Sequence, residues 1–260
     1  MNRNNFDDEK HTLKLSEDGS YTAYSKEYDE HYHSTKDGAL KESLYKHVIP
    51  ASTIIQENEK DGVLSILDIC YGLGFNTLGT ILYYREKYPT QKLAIYSPEL
   101  DASLVKSLVN FTYPQEFNDF KPIIEAISKD GFYKDDLLRI EVYLGDAREY
   151  VRKFSAYFDI VYQDAFSPST NPILWTKEYF RDIKNAMKPE SILTTYSIAL
   201  KTRLALYENG FNVYLNRGEE FRDATVASKG SMESFTLVDM QHKIACNQDI
   251  KPLCDADIVC

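Results

Sequence analysis

The 260-residue sequence contains no apolar run approaching the roughly 18 residues that a membrane-crossing helix needs, so a transmembrane helix is excluded and a soluble protein is expected. Its first residues, MNRNNFDDEKHTLKL, lack a basic stretch followed by an apolar one. No secretory signal is therefore expected, and the cytoplasm is the expected compartment. Cysteine is scarce: Cys70 stands alone, and Cys246, Cys254 and Cys260 fall in the last fifteen residues without a CxxC pair. That pattern offers neither a disulfide framework nor a zinc site, and predicts a frayed tail with free thiols and no bound metal. Positive charge is in deficit. Thirty Lys and Arg face forty Asp and Glu, a net charge of −10, which excludes a protein that coats nucleic acid through bulk charge. One basic stretch remains, residues 177–203, with Lys177, Arg181, Lys184, Lys188, Lys201 and Arg203. It is open either as a solvated helix face or as a local nucleic-acid contact. Repeats, low-complexity segments and Pro/Gly/Ser linkers are absent.

What is present is an ordinary globular composition, 43% hydrophobic and 27% charged. At roughly 100–200 residues per domain, one large α/β domain accounts for the length. Short apolar runs read as strands over residues 63–69, 93–97, 138–144, 158–163, 191–197, 211–215 and 234–239. Helical spacing covers residues 76–88, 176–187 and 198–208, the last stopped by Gly210. Strands alternating with helices predict a Rossmann-like, mostly parallel, doubly wound sheet with an antiparallel last strand, whose ligands bind at the carboxyl ends of the strands. Residues 102–136 read as a helical elaboration interrupted at Pro114, Pro122 and Gly131. The expected organisation is a small cap or arm over residues 1–50, a main domain over 51–240 and a tail over 241–260. His31 and His33 are expected on the surface of the Tyr-rich arm.

The segment LDICYGLGFN, residues 67–76, leaves an apolar strand at Asp68 and places Gly72 and Gly74 around one residue. Glycines there permit positive φ and let backbone N–H groups approach a ligand, with a helix N-terminus behind them. The third glycine of a dinucleotide fingerprint is missing, so this turn alone leaves open a nucleotide-type ligand or a plain strand–helix turn. The next strand ends in YSPEL, placing Glu99 where a carboxylate can accept bonds from a ribose diol. The third ends in LGDAREY, placing Asp146 within reach of an exocyclic amine, and the fourth ends in QDAF, with Asp164 at its tip. Four consecutive strands ending in acids at the ligand edge resemble a Rossmann-like S-adenosyl-L-methionine methyltransferase.

A longer match is QDAFSPSTNPILWTKEYFRDI, residues 163–183. It resembles the D-x-F-x-P-x-x-N-P-x-x-W-T signature of the bacterial methyltransferase family that finishes 5-methylaminomethyl-2-thiouridine at the tRNA wobble position. The family's F-G-x-G-x-N motif is matched by Tyr71, Gly72, Gly74 and Asn76, with Tyr in place of Phe. In HYHSTKDGALKESLYKHV, the residues Tyr32, Ser34, Gly38, Glu42 and Ser43 resemble its N-terminal pattern. MKPESILTTYS resembles the strand after its signature, with Glu190 and Ser191 where the family has two glycines. The resemblance spans most of residues 21–229.

It implies S-adenosyl-L-methionine as methyl donor, held by Asp68, Tyr71, Gly72, Gly74, Asn76, Glu99, Asp146, Ala147 and Asp164. It implies a tRNA substrate met by Ser34, Glu42, Phe166, Pro168, Asn171 and Trp175. Asp164 is the expected catalytic group, orienting the amine or taking its proton. Phe166 or Trp175 would flank a flipped base, although core packing accounts equally well for the tryptophan. The family's commonest form also carries a flavin-dependent oxidase, for which 260 residues leave no room. A stand-alone form is expected, its aminomethyl-uridine supplied another way. Two other readings stay open: an amine-directed enzyme, either an aminopropyltransferase resembling spermidine synthase or a small-molecule methyltransferase, and a binding subunit of the same fold without catalysis. The G-G-G-D-G run of the aminopropyltransferases is absent, and the intact row of acids speaks against the binding subunit.

Overall fold

The computed structural model describes residues 6, 9–58, 62–219 and 221–258. Cys260 therefore lies outside the described residues. The chain opens with an antiparallel meander of β1 (His11–Leu15), β2 (Tyr21–Ser25) and β3 (Glu30–His31). Helix α1 (Ala39–Ser43) then runs into a π-helical turn, Leu44–Val48, and on into α2 (Ile49–Asn58). In that turn the Ile49 N–H donates to the Leu44 carbonyl, five residues back. Such widened turns are rare, and they rotate the side chains that follow relative to an α-helix.

The main sheet is built from β4 (Val63–Ile69), β5 (Lys92–Glu99), β6 (Phe132–Lys134), β7 (Leu138–Leu144), β8 (Phe158–Gln163), β9 (Met187–Thr195), β10 (Asn212–Asn216), β11 (Ala224–Ser228) and β12 (Thr236–Leu237). Their order across the sheet is β12-β10-β11-β9-β8-β4-β5-β7-β6. Strands β9, β8, β4, β5 and β7 run parallel, and the flanking pairings that involve β11, β12 and β6 are antiparallel. The central strands, VLSILDI and FDIVYQ, are near-continuous apolar runs because both of their faces are covered. On one face α3 (Phe75–Lys87) and α5 (Lys121–Asp130) pack with α2; on the other lie α6 (Ala147–Val151), α7 (Lys177–Ala186) and α8 (Leu200–Glu208).

Two features set the site. From β4 the chain moves outward through β5 and β7, then returns to the other flank of β4 through β8, so β4 marks the point where strand order reverses. At such a point the loops at the strands' carboxyl ends diverge and leave a crevice. The meander and the turn before α2 then close over that crevice.

The sheet differs from the sequence reading in places. Strand β11, ATVAS, is short in large apolar residues and carries no periodic signal, yet all five of its residues are buried. Residues 234–239 shrink to the two-residue β12. The tail is docked rather than frayed: Arg148 holds Asp255 with two bonds of 2.8 Å, and the Lys177 N–H donates to the Leu253 carbonyl at 2.7 Å. In the basic stretch Lys177 pairs with Glu208 at 2.5 Å and the Arg203 Nε donates to Thr225 Oγ1 at 3.0 Å.

Candidate active site

The glycine turn after β4 is left-handed at three positions: Cys70 (φ 66), Gly72 (φ 53) and Gly74 (φ 77). A methyl group at Gly74 would sit 2.8 Å from Tyr71 Oη, so both the backbone angle and the space require glycine there. Gly74 also caps the N-terminus of α3. Asp68 turns back under this bend, accepting from Thr77 Oγ1 at 2.8 Å and from Asn76 Nδ2 at 3.3 Å. Burial pushes its carboxyl up to about 7, against the Thr77 hydrogen bond that favours the charged form.

The other strand ends carry the remaining acids. Glu99, closing β5, accepts the Gly72 N–H and the Asp101 N–H, each at 2.9 Å. Its carboxylate thus fixes the glycine turn, and burial raises its carboxyl above the usual range. Asp146 caps α6 by accepting the Glu149 N–H at 2.9 Å. Asp164, just past β8, accepts from Asn76 Nδ2 at 2.8 Å through one oxygen. Its other oxygen lies 3.4 Å from His47 Nε2. Burial works to raise this carboxyl, but the imidazoles of His47 and His33 and the Asn76 amide outweigh it and hold it below the usual range.

A cavity of about 1170 Å³ lies over these strand ends. Tyr71, Gly72, Asn76, Glu99, Asp146 and Ala147 line it on the glycine-turn side. Asp164, Phe166, Asn171, Ser34 and Glu42 line it on the cap side. The cap is clamped to the signature loop: the Tyr28 ring stacks on Phe166 with centroids 4.8 Å apart, and Tyr32 tilts against it at 4.9 Å. The Ser167 hydroxyl donates to Glu30 at 2.9 Å. Glu42 ties the cap internally, accepting the Ser34 N–H at 2.7 Å and Lys46 Nζ at 2.6 Å.

Four residues expected at the site do not line the cavity. Asp68 and Gly74 lie beneath the turn and shape it. Trp175 is buried at 1% exposure, and its indole N–H donates to the Phe166 carbonyl at 2.7 Å, supporting the loop from below. Pro168 sits inside a turn closed by the Asn171 N–H on the Ser167 carbonyl at 2.8 Å. His33 is not a surface residue: it is buried at 8% exposure and lines the cavity. His47, fully buried beside Asp164, is a further residue that pattern reading passes over, since nothing in SLYKHV foretells a π-turn. None of the six cations of the basic stretch, residues 177–203, lines the cavity; the cations there are Lys10, Lys36, Lys46 and Arg222. Among the described residues no group of His, Cys, Asp and Glu forms a metal site, and no helix is long and apolar enough to cross a membrane.

Residues 117–230 match the family model described as S-adenosyl-L-methionine-dependent methyltransferase. The crystal structure of MnmC2 from Aquifex aeolicus superposes with a TM-score of 0.78 at 31% identity, over 92% of this chain and 77% of that one. The chain belongs to the MnmC-like methyltransferase family. An uncharacterized protein of Methanocaldococcus jannaschii is 32% identical over 206 residues, covering 78% of this chain and 55% of that protein. The tRNA 5-methylaminomethyl-2-thiouridine biosynthesis bifunctional protein MnmC of Azoarcus sp. is 28% identical over 216 residues, 78% of this chain and 33% of that protein. The chain therefore spans about half the length of the first of these relatives and a third of the second.

S-adenosyl-L-methionine is the methyl donor of the MnmC-like family. The residues present fit it: a glycine turn whose backbone cannot be covered by a side chain, opening beside two strand-end carboxylates, Glu99 and Asp146, on one cavity wall.

Proposed function

We propose that this protein transfers a methyl group from S-adenosyl-L-methionine to the aminomethyl nitrogen of a modified wobble uridine in tRNA, forming 5-methylaminomethyl-(2-thio)uridine. The observation that carries the reading is the placement of Asp164. It stands in the family signature, its carboxyl held below the usual range, and it is bonded through Asn76 to the turn that forms the cofactor wall. The likeness to the tRNA 5-methylaminomethyl-2-thiouridine biosynthesis proteins MnmC supports the substrate class.

When bound, the cofactor supplies an electrophilic methyl carbon. The chain's own residues do the rest. Glu99 offers its free lone pairs to the ribose hydroxyls and Asp146 to the adenine amine. Phe166, backed by Tyr28 and Tyr32, presents an aromatic face to a base taken out of the stack. Asp164 attracts the alkylammonium and orients it, and the cap excludes water so that the nitrogen, once neutral, meets the methyl group in line. Residues 1–50 act as the substrate-side cap of the domain formed by residues 51–240, with residues 241–260 as its tail.

The test is to incubate the purified protein with S-adenosyl-L-methionine and tRNA bearing 5-aminomethyl-uridine, thiolated or not, and to analyse nucleosides by mass spectrometry. Gain of one methyl group on that nucleoside is expected. Binding of the cofactor without any methylated nucleoside overturns the reading.

A further inference from the structure

The proposed substrate is a polyanion and the protein carries a net charge of −10, so the phosphates need a local cluster of cations. A base drawn into the cavity stays tied to the phosphates on either side of it, and these come to rest at the cavity mouth. Four cations line the cavity, Lys10, Lys36, Lys46 and Arg222, and two of them are committed. Lys46 is buried, with Nζ 2.6 Å from Glu42 and 3.2 Å from Asp37. Lys10 Nζ lies 3.0 Å from Asp101, whose N–H is bonded to Glu99 on the cofactor wall. Lys36 is exposed, and no carboxylate pairs with it among the described residues. Arg222 stands in the loop that joins β10 to β11. Since β11 begins with Thr225 opposite Thr195, at the carboxyl end of β9, this loop rises at the ligand edge of the sheet. Phe221 anchors it by stacking on Tyr45 of the π-turn, with centroids 5.5 Å apart. A methyl group on Gly218 would sit 2.0 Å from the Phe221 ring, so the loop has room only for glycine there. The Arg222 side chain is 70% exposed. Its Nε and Nη2 both lie 3.4 Å from Asp37 Oδ2, and Nη2 donates to Ser34 Oγ at 3.1 Å. Asp37 is closer to Lys46, so it aims the guanidinium rather than neutralising it. Nη1, with two N–H groups, bonds to nothing among the described residues. The adjacent acid, Asp223, faces Arg217 at 3.5 Å.

Resting on the tRNA substrate proposed above, we infer that Arg222 and Lys36 hold the phosphates that flank the nucleotide entering the cavity. The guanidinium donates from Nη1 to phosphate oxygens in its own plane, and the Lys36 ammonium adds a point charge beside it. Ser34 and Asp37 set that plane from the cap side, so Ser34 acts on the substrate through Arg222 rather than by touching the base. Contacts of this kind fix the position of the strand and carry no sequence information, which leaves recognition of the uracil to the cavity itself. The two cations come from different parts of the chain, the cap and the β10–β11 loop, and the Arg222 bonds to Ser34 and Asp37 join these parts at the mouth.

Fluorescence anisotropy with an unmodified anticodon stem–loop RNA, at KCl from about 0.05 to 0.5 M, tests this with Arg222→Gln, Lys36→Gln and the double variant. Each single variant should reduce the slope of log affinity against log salt by about 0.7, and the double variant by about 1.4, the value for two single-strand phosphates. At about 0.1 M salt the double variant should bind roughly 20-fold more weakly than the parent, and the two should converge as salt approaches about 1 M. A parental slope in the double variant, or a deficit of equal size at every salt concentration, overturns the inference. Arg181→Gln with Lys201→Gln, in the basic stretch away from the cavity, should keep the parental slope. A slope that falls there and stays parental in the Arg222 and Lys36 variants also overturns it. Calorimetry with S-adenosyl-L-methionine should give parental affinity in every variant, which shows the site to be intact. Loss of cofactor affinity in Arg222→Gln with RNA binding unchanged overturns the inference and gives the arginine to the cofactor's carboxylate. A parent that binds the RNA through these two cations but methylates no aminomethyl-uridine supports the inference and counts against the proposed nucleoside. A parent that does not bind the RNA overturns it.

Discussion

The side-chain amide of Asn76 serves two acids at once, donating to Asp164 Oδ2 at 2.8 Å and to Asp68 Oδ1 at 3.3 Å. It thereby joins the ends of β4 and β8, the two strands that flank the crevice, through the first turn of α3. Both carboxylates are largely cut off from water, so each depends on this donor. Asn76→Ala is expected to lower stability by about 1–3 kcal/mol, the cost of leaving buried acceptors short of a partner. Urea midpoints at constant slope measure it, and an unchanged midpoint would show that the bridge contributes nothing.

Asp164→Asn keeps the shape and part of the hydrogen bonding but loses the charge that meets the ammonium. Single-turnover methyl transfer should fall by about 10²–10⁴-fold at neutral pH. The loss should narrow at higher pH as more amine arrives neutral. Cofactor affinity by titration calorimetry should hardly move, since the strand ends beside β4 supply that wall. A near-parental rate constant would remove Asp164 from the mechanism.

Glu99 and Asp146 separate two effects that a single binding measurement would blur. Glu99→Ala removes the acceptor of both the Gly72 and Asp101 N–H groups, so the glycine turn loosens as the ribose contact is lost. Affinity for S-adenosyl-L-methionine should drop by about 1–3 kcal/mol. Asp146→Ala should in addition cost about 1 kcal/mol of stability, because the residue caps α6. Calorimetry paired with thermal unfolding resolves the two. If both variants bind the cofactor as tightly as the parent, the wall assigned to it is wrong.

The parallel core was legible because its strands are apolar runs ending in acids, a pattern that survives any uncertainty about their neighbours. Val63–Ile69, Leu138–Leu144 and Phe158–Gln163 fall where the periodicity places them. Strand β11 was not legible, since ATVAS owes its burial to the β9 and β10 partners on either side rather than to large side chains of its own. The strand-end acids were readable as a row, but not that Asp68 faces inward to Thr77 while Asp164 faces the cavity. His47 was hidden for a different reason. A helical wheel assumes 3.6 residues per turn, and the π-turn breaks that register where the histidine needs to point at β8. Trp175 shows the converse: the signature marks it, but its indole is spent on a backbone carbonyl.

Asp68 gives the protein a pH dependence of a sign unusual for a carboxylate. Its folded-state value of about 7 stands above the ordinary 3.8, because burial disfavours the charge. Below about pH 4 both the folded and unfolded forms carry the proton, and the contribution to stability is fully present. Between about pH 4 and 7 the unfolded chain gives up the proton that the folded chain keeps, so stability falls as pH rises. Above pH 7 both forms are ionised and the loss, roughly 4 kcal/mol at full size, is complete. Asp164, held low, acts in the opposite sense, its contribution being lost as pH falls below the ordinary carboxylate range. His33, pushed down by burial, adds a slope that rises toward neutral pH. Both of those groups remain in Asp68→Asn, so the difference between parent and variant isolates Asp68. The amide oxygen of the variant can still accept from Thr77. Unfolding free energies from urea titrations at pH 5 and pH 8 should therefore fall less in the variant than in the parent as pH rises, by about 2–4 kcal/mol. An equal change in the two proteins would mean that Asp68 is ionised throughout, held by Thr77 and Asn76 against its burial.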